Sequence, residues 1–137
     1  MSNNIQAAAP AVDEKARAGT NPSVSAFKVP ASRLEKLKSL GFSAGEIAEV
    51  VAPRRTLDRR KKSPKPLPLD ESDRVLRLER IMEHAERVLG TREKANLWLR
   101  RPNRALNGAI PMELLKSESG AFHVSEVLGH IEFGMYS

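Results

Sequence analysis

Cysteine is absent from all 137 residues, which excludes disulfides, thiolate zinc sites and cysteine nucleophiles. Such a composition suits a reducing compartment. Aromatic residues make up only 4% of the chain, with one Trp and one Tyr, so aliphatic side chains must build any core. No apolar run approaches the roughly 18 residues needed to cross a bilayer. The opening Met1–Gln6 is polar and the Ala tract after it is broken by Pro10 and Asp13, which does not make a secretory signal. A soluble cytoplasmic protein without a membrane partner is therefore expected. Strand-type alternation of useful length is missing too, so the expected fold is all-α. Also missing are a glycine-rich phosphate loop, a nucleophile elbow and a paired-carboxylate pattern. The expectation is a non-enzyme with no cofactor.

What is present is unevenly distributed. The formal net charge is +6. Between Arg54 and Lys65 stand seven basic residues (Arg54, Arg55, Arg59, Arg60, Lys61, Lys62, Lys65) against the single Asp58, an excess equal to that of the whole chain. Affinity for a polyanion is thus a property of one place. The length allows one ordinary domain or two very small ones, and at the smaller size a core is marginal without a partner or a second copy.

Residues 1–30 are rich in Ala, Ser, Asn and Pro with no sustained apolar period, and they read as a flexible arm. Residues 31–68 read as a helix-turn-helix-like region. Leu34, Leu37 and Leu40 recur at helical spacing, with Gly41 as a left-handed stop. Ser43 and Glu46 have capping-box spacing and open a helix carrying Ile47, Val50 and Val51, ended by Ala52-Pro53. A third short helix is expected from Arg54 to about Lys62, with Leu57 inward and its cations outward. Laid in a major groove, Arg54, Arg55, Thr56, Arg59, Arg60, Lys61 and Lys62 would reach base edges and phosphates. The competing reading of the same run is a solvated basic face or linker.

Three prolines at 64, 66 and 68 forbid a helix there. Residues 69–137 make up the remainder. Asp70 is placed to cap a long helix of about 19 residues ending at Gly90, with Val75, Leu78, Met82, Ala85 and Leu89 in one stripe, serving as a domain spine or a dimer seam. Thr91 caps a helix with Ala95, Trp98 and Leu99, in which Trp98 reads as a core anchor. Asn107-Gly108 marks a turn, Pro111 starts a short helix that Gly120 breaks, and a last helix carries Val124, Val127, Leu128 and Ile131. His123 and His130 lie seven apart with Glu126 between them, a spacing that matches no metal-ligand motif, so no metal site is expected.

The residues Trp98-Leu99, Pro102-Asn103, Leu106, Gly108, Pro111, Leu114-Leu115, Gly120 and the closing Gly134-Met135-Tyr136 form a pattern of fixed spacings that resembles the toxin-binding domain of the Xre/MbcA/ParS antitoxin family. The resemblance covers roughly residues 70 to 137, and the segment before it is similar to the reduced Xre-type helix-turn-helix of these antitoxins. What it implies is a type II antitoxin paired with a RES-domain toxin that degrades NAD or transfers ADP-ribose. The family's C-terminal region blocks the toxin's active-site entrance, a role that would fall here to His130, Glu132, Phe133, Gly134, Met135, Tyr136 and Ser137. The head would bind operator DNA of its own promoter, as a homodimer or within a higher-order toxin–antitoxin complex. From the residues alone, Phe133, Met135 and Tyr136 are either pinned to their own domain or reserved for a partner. The alternative function is a stand-alone helix-turn-helix regulator whose C-terminal domain only dimerises.

Overall fold

The computed structural model describes residues 27–134 and contains, among these, seven α-helices and one 3-10 turn. The fold is all-α, a helix-turn-helix head followed by a C-terminal helical module. The arm expected over residues 1–30 lies outside the described residues except for its end, and there the expectation is corrected. Val29 is buried, its N–H donates to Ser72 Oγ at 3.0 Å, and its carbonyl accepts from the Leu67 N–H at 2.9 Å. A β-branched side chain beside Pro30 thereby closes the bottom of the head.

Helix α1 (Arg33–Ser39) buries Leu34 and Leu37. The chain turns at Gly41, whose φ of +114° is a conformation that side-chain-bearing residues rarely adopt. Helix α2 (Ala44–Val50) starts from a complete capping box in which Ser43 Oγ accepts from the Glu46 N–H at 3.1 Å and Glu46 returns the bond to the Ser43 N–H at 2.9 Å. Pro53 opens α3 (Arg54–Lys61), with Leu57 buried as its periodicity requires. Phe42, Ile47, Val50 and Val51 complete the head's core.

Helix α4 (Leu69–Leu89) is the spine. Its 21 residues present Val75, Leu78, Ile81, Met82 and Ala85 with no exposed surface, and α1, α5 and α7 pack on it. Each large apolar side chain of this stripe taken from water contributes about 1.5–3 kcal/mol. Asp70, expected as the cap, is instead inside the first turn. Pro68 precedes the helix without a side-chain cap, since its fixed φ already suits the entry, and Asp70 and Glu71 meet the positive helix end from within.

Thr91 caps α5 (Arg92–Leu99) by accepting from the Lys94 N–H at 3.1 Å. Next comes a loop holding the 3-10 turn Arg104–Leu106, closed by Asn107 in the left-handed region and by pairing between Asn103 and Ala109. Pro111 is the first residue of α6 (Pro111–Leu114), and Ser117 caps α7 (Glu118–Glu132). Gly120, expected to break a helix, is instead within the first turn of α7. A Cβ there would lie 2.0 Å from the Leu114 carbonyl oxygen, so the residue is a point of backbone contact between α6 and α7. Arg77 meets the start of α7 and Arg87 its end, so α7 runs beside α4 in the same direction.

Gly120→Ala is expected to lower stability by roughly 1–3 kcal/mol or more through overpacking against backbone. Gly129→Ala, where an added methyl meets open space, should raise it by about 0.5–1 kcal/mol through helix propensity. Urea unfolding of the two variants checks the opposite signs; equal effects would contradict the assigned contact.

Candidate functional site

The basic helix is held by one inward residue and two ion pairs. Leu57 is buried, and Arg60 donates to both carboxylate oxygens of Glu71 on α4, at 2.8 and 2.7 Å. Lys61 reaches Glu35 of α1 at 3.4 Å. The seven residues expected to face a groove therefore separate. Arg54, Arg55, Arg59 and Lys62 are exposed and pair with no carboxylate of the described residues, while Thr56 is half-buried. Arg60 differs from them in that its bidentate bond to a buried carboxylate fastens α3 to the spine. The Arg54 guanidinium lies beside Gly45, 3.5 Å from where a Cβ would sit, which brings α3's first cation alongside the amino end of α2.

The head is fixed to the rest by polar bonds from buried or half-buried side chains. Glu79 of α4 accepts from Arg33 of α1 (Nε at 2.8 Å), and this carboxylate holds the Arg33 guanidinium above its ordinary pKa. Arg74 donates to the Val51 carbonyl at 3.0 Å, within the turn between α2 and α3. Arg100, at the end of α5, donates to both oxygens of Glu46 at 2.9 and 2.7 Å and to the Gly41 carbonyl at 3.0 Å. Asn96 supports that guanidinium through its side-chain and main-chain oxygens and donates to the Leu40 carbonyl at 3.1 Å. Nothing in the sequence pattern signals this clamp, because its partners are more than fifty residues apart. Desolvation raises the Glu46 carboxyl, but the bonds from Arg100 and Ser43 outweigh it, and the net shift is downward.

At the other end, α7 is anchored to α4 by Arg77, nine-tenths buried, which donates to Glu118 at 2.8 Å and to the Leu115 carbonyl at 3.1 Å. Of the terminal stretch, Glu132 folds home: it lies 3.3 Å from His84 and 3.6 Å from Arg87, both on α4. His130 is half-buried on α7. Phe133 stands 78% exposed, and Gly134 comes next with φ +74°. Met135, Tyr136 and Ser137 lie outside the described residues. Thus Glu132 acts within its own module, and outward presentation begins at Phe133. His123 pairs with Glu126 at 3.3 Å on the surface, and no group of three potential metal ligands occurs among the described residues. Trp98, expected as a core anchor, packs on the core with one side only; it is half-buried and lines a surface cleft with Leu97. No helix of the described residues is long and apolar enough to cross a membrane.

A short-helix head carrying free cations on its third helix, joined by a long spine to a helical module with a protruding aromatic end, is the architecture of a helix-turn-helix regulator with a partner-binding extension. Comparison with known proteins agrees. Residues 28–80 match the Antitoxin Xre-like helix-turn-helix domain, and residues 84–134 match the Antitoxin Xre/MbcA/ParS C-terminal toxin-binding domain. The Antitoxin Xre of Pseudomonas putida is 36% identical over 76% of this chain and 65% of its own length. That of Photorhabdus laumondii is 33% identical over 80% of this chain and 76% of its own. A chain in the crystal structure of the M. tuberculosis MbcT–MbcA toxin–antitoxin complex shares the fold, with a TM-score of 0.60 at 24% identity, over 78% of this chain and 96% of that one. The chain belongs to the Xre/MbcA/ParS antitoxin family. The two matched segments meet within α4, at residues 80–84, so the spine is shared by both domains.

Because folding lowers the Glu46 carboxyl, the unfolded chain holds that proton more tightly. The stabilisation is complete above the ordinary value of 4.5 and is lost as pH falls through the lower folded value. Glu46→Gln should destabilise the protein at neutral pH and make the acid limb of its stability profile shallower. Urea midpoints measured from about pH 3 to about pH 7 check this; a profile parallel to wild type would contradict the clamp.

Proposed function

We propose that this chain is the antitoxin of a type II module whose toxin is a RES-domain, NAD-consuming enzyme. In this reading it neutralises the toxin by direct binding, with the stretch from His130 to Ser137 closing the active-site entrance. The observation that carries the reading is the end of α7. Glu132 is tied to His84 and Arg87, so the next residue, Phe133, is presented to solvent from a fixed base. A large aromatic side chain gains most when a foreign pocket desolvates it, and Met135, Tyr136 and Ser137 extend the same tip. The chain performs no catalysis and needs no cofactor in this role, and it acts in the cytoplasm.

The head represses the module's own promoter. Arg54, Arg55, Arg59 and Lys62 meet operator DNA, Thr56 lies among them, and Lys61 reaches phosphate by exchanging its surface pair with Glu35. Arg60 contributes by holding α3 in place. An eight-residue reading helix gives few contacts, which favours action as a homodimer or within the larger complex with toxin, where several heads add.

Deleting residues 133–137 should abolish rescue of cells expressing the toxin while leaving promoter binding near the wild-type level. Unchanged rescue by the truncated chain would overturn the plug. Charge reversal at Arg55 and Arg59 should weaken promoter binding and reduce its salt slope by about two, with rescue retained. Retained promoter binding would remove the DNA assignment.

A further inference from the structure

The helix α5 presents three different sides. Ala95 and Leu99 face the core, and Asn96 and Arg100 face the head. The third side carries Lys94 and Leu97, with Arg101 just past the helix end, all three exposed and Leu97 at 49%. With the half-buried Trp98 and Leu89 and the exposed Pro102, they line an open cleft of about 300 Å³. No carboxylate lines it, and neither Lys94 nor Arg101 forms an ion pair with a described residue. A lone exposed leucine is ordinary. Here it sits beside an indole, in a concavity large enough for one bulky side chain, between two unneutralised cations.

We propose that this cleft is a second docking site for the toxin, taking an acidic segment that inserts one aliphatic or aromatic side chain against Trp98 and Leu97. Its flanking carboxylates meet Lys94 and Arg101. This rests on the reading of the chain as an antitoxin and adds to it a contact remote in sequence from the terminal plug. Charge complementarity selects the occupant. Lys94 stands in the first turn of α5 and Arg101 just beyond its last turn, so the segment carries carboxylates on both sides of its apolar anchor. A second copy of this chain, itself at net +6, offers the wrong overall sign. Nucleic acid is disfavoured because the cleft lies on a different side of α5 from the head and its cations. The energetic pattern is an apolar anchor that is desolvated on docking, with rim charges that steer approach.

The test uses the full chain and its cognate toxin, with binding measured by calorimetry at two salt concentrations. Wild type binds. Lys94→Glu combined with Arg101→Glu should weaken binding by about tenfold or more and flatten its salt dependence. Leu97→Ala should weaken it by several-fold without changing the salt slope. Lys94→Arg should bind like wild type. Thermal unfolding of each variant establishes that the fold persists, and all substituted sites are exposed. Wild-type affinity in the folded double reversal overturns the proposal while leaving the plug intact. So does a loss confined to self-association, which would assign the cleft to a second copy. A wild-type chain that fails to bind the toxin overturns both this site and the reading beneath it.

Discussion

The structure depends on a single wall. Helix α4 buries an unbroken aliphatic stripe against α1, α5 and α7, and on its polar flank it carries two carboxylates, Glu71 and Glu79, that are almost entirely buried. A buried carboxylate is costly unless it is charged, paired and hydrogen-bonded. Each of these is met by an arginine from the head: Arg60 on Glu71 and Arg33 on Glu79. The apolar stripe supplies non-directional stabilisation, while the two arginine forks fix where the head sits on it. Each head helix is no longer than eight residues and would be marginal alone. Docked on the wall, they take one orientation.

The same wall orders the carboxyl end of α7. Arg77 fastens the start of α7, and His84 and Arg87 fasten its last turn through Glu132. Phe133, the residue directly after that anchored turn, is therefore aimed. From the other side, Arg100 and Asn96 join α5 to the turn between α1 and α2. Head and module thus share both a helix and a polar clamp.

Much of this was readable from sequence because the forces involved are local. The Ser43–Glu46 box, the Thr91 cap, Pro111 at a helix start and the Asn107-Gly108 turn each act within a few residues, and each stands where its chemistry places it. Helical periodicity gave the buried faces of α1, α4 and α7 for the same reason. The misses are long-range. Gly120 looked like a breaker because its nearest obstacle, the Leu114 carbonyl, is brought to it by the fold. The Arg60–Glu71 bond was not legible because Glu71 lies beyond a proline-rich turn. Trp98 looked internal because it shares a helix with the apolar Ala95 and Leu99, whereas the packing of α5 leaves one of its sides open. Val29 looked like arm, and only the pairing with Leu67 and Ser72 shows that the fold includes it.

The central claim is that the end of α7 is occupied by a foreign pocket, and a photo-crosslinker at position 133 addresses it directly. With Phe133 replaced by benzoyl-phenylalanine in the reconstituted complex, irradiation should join this chain to residues lining a pocket of the toxin, as read by mass spectrometry. Cross-links confined to this chain's own helices, in a complex that still forms and still neutralises, would contradict the account.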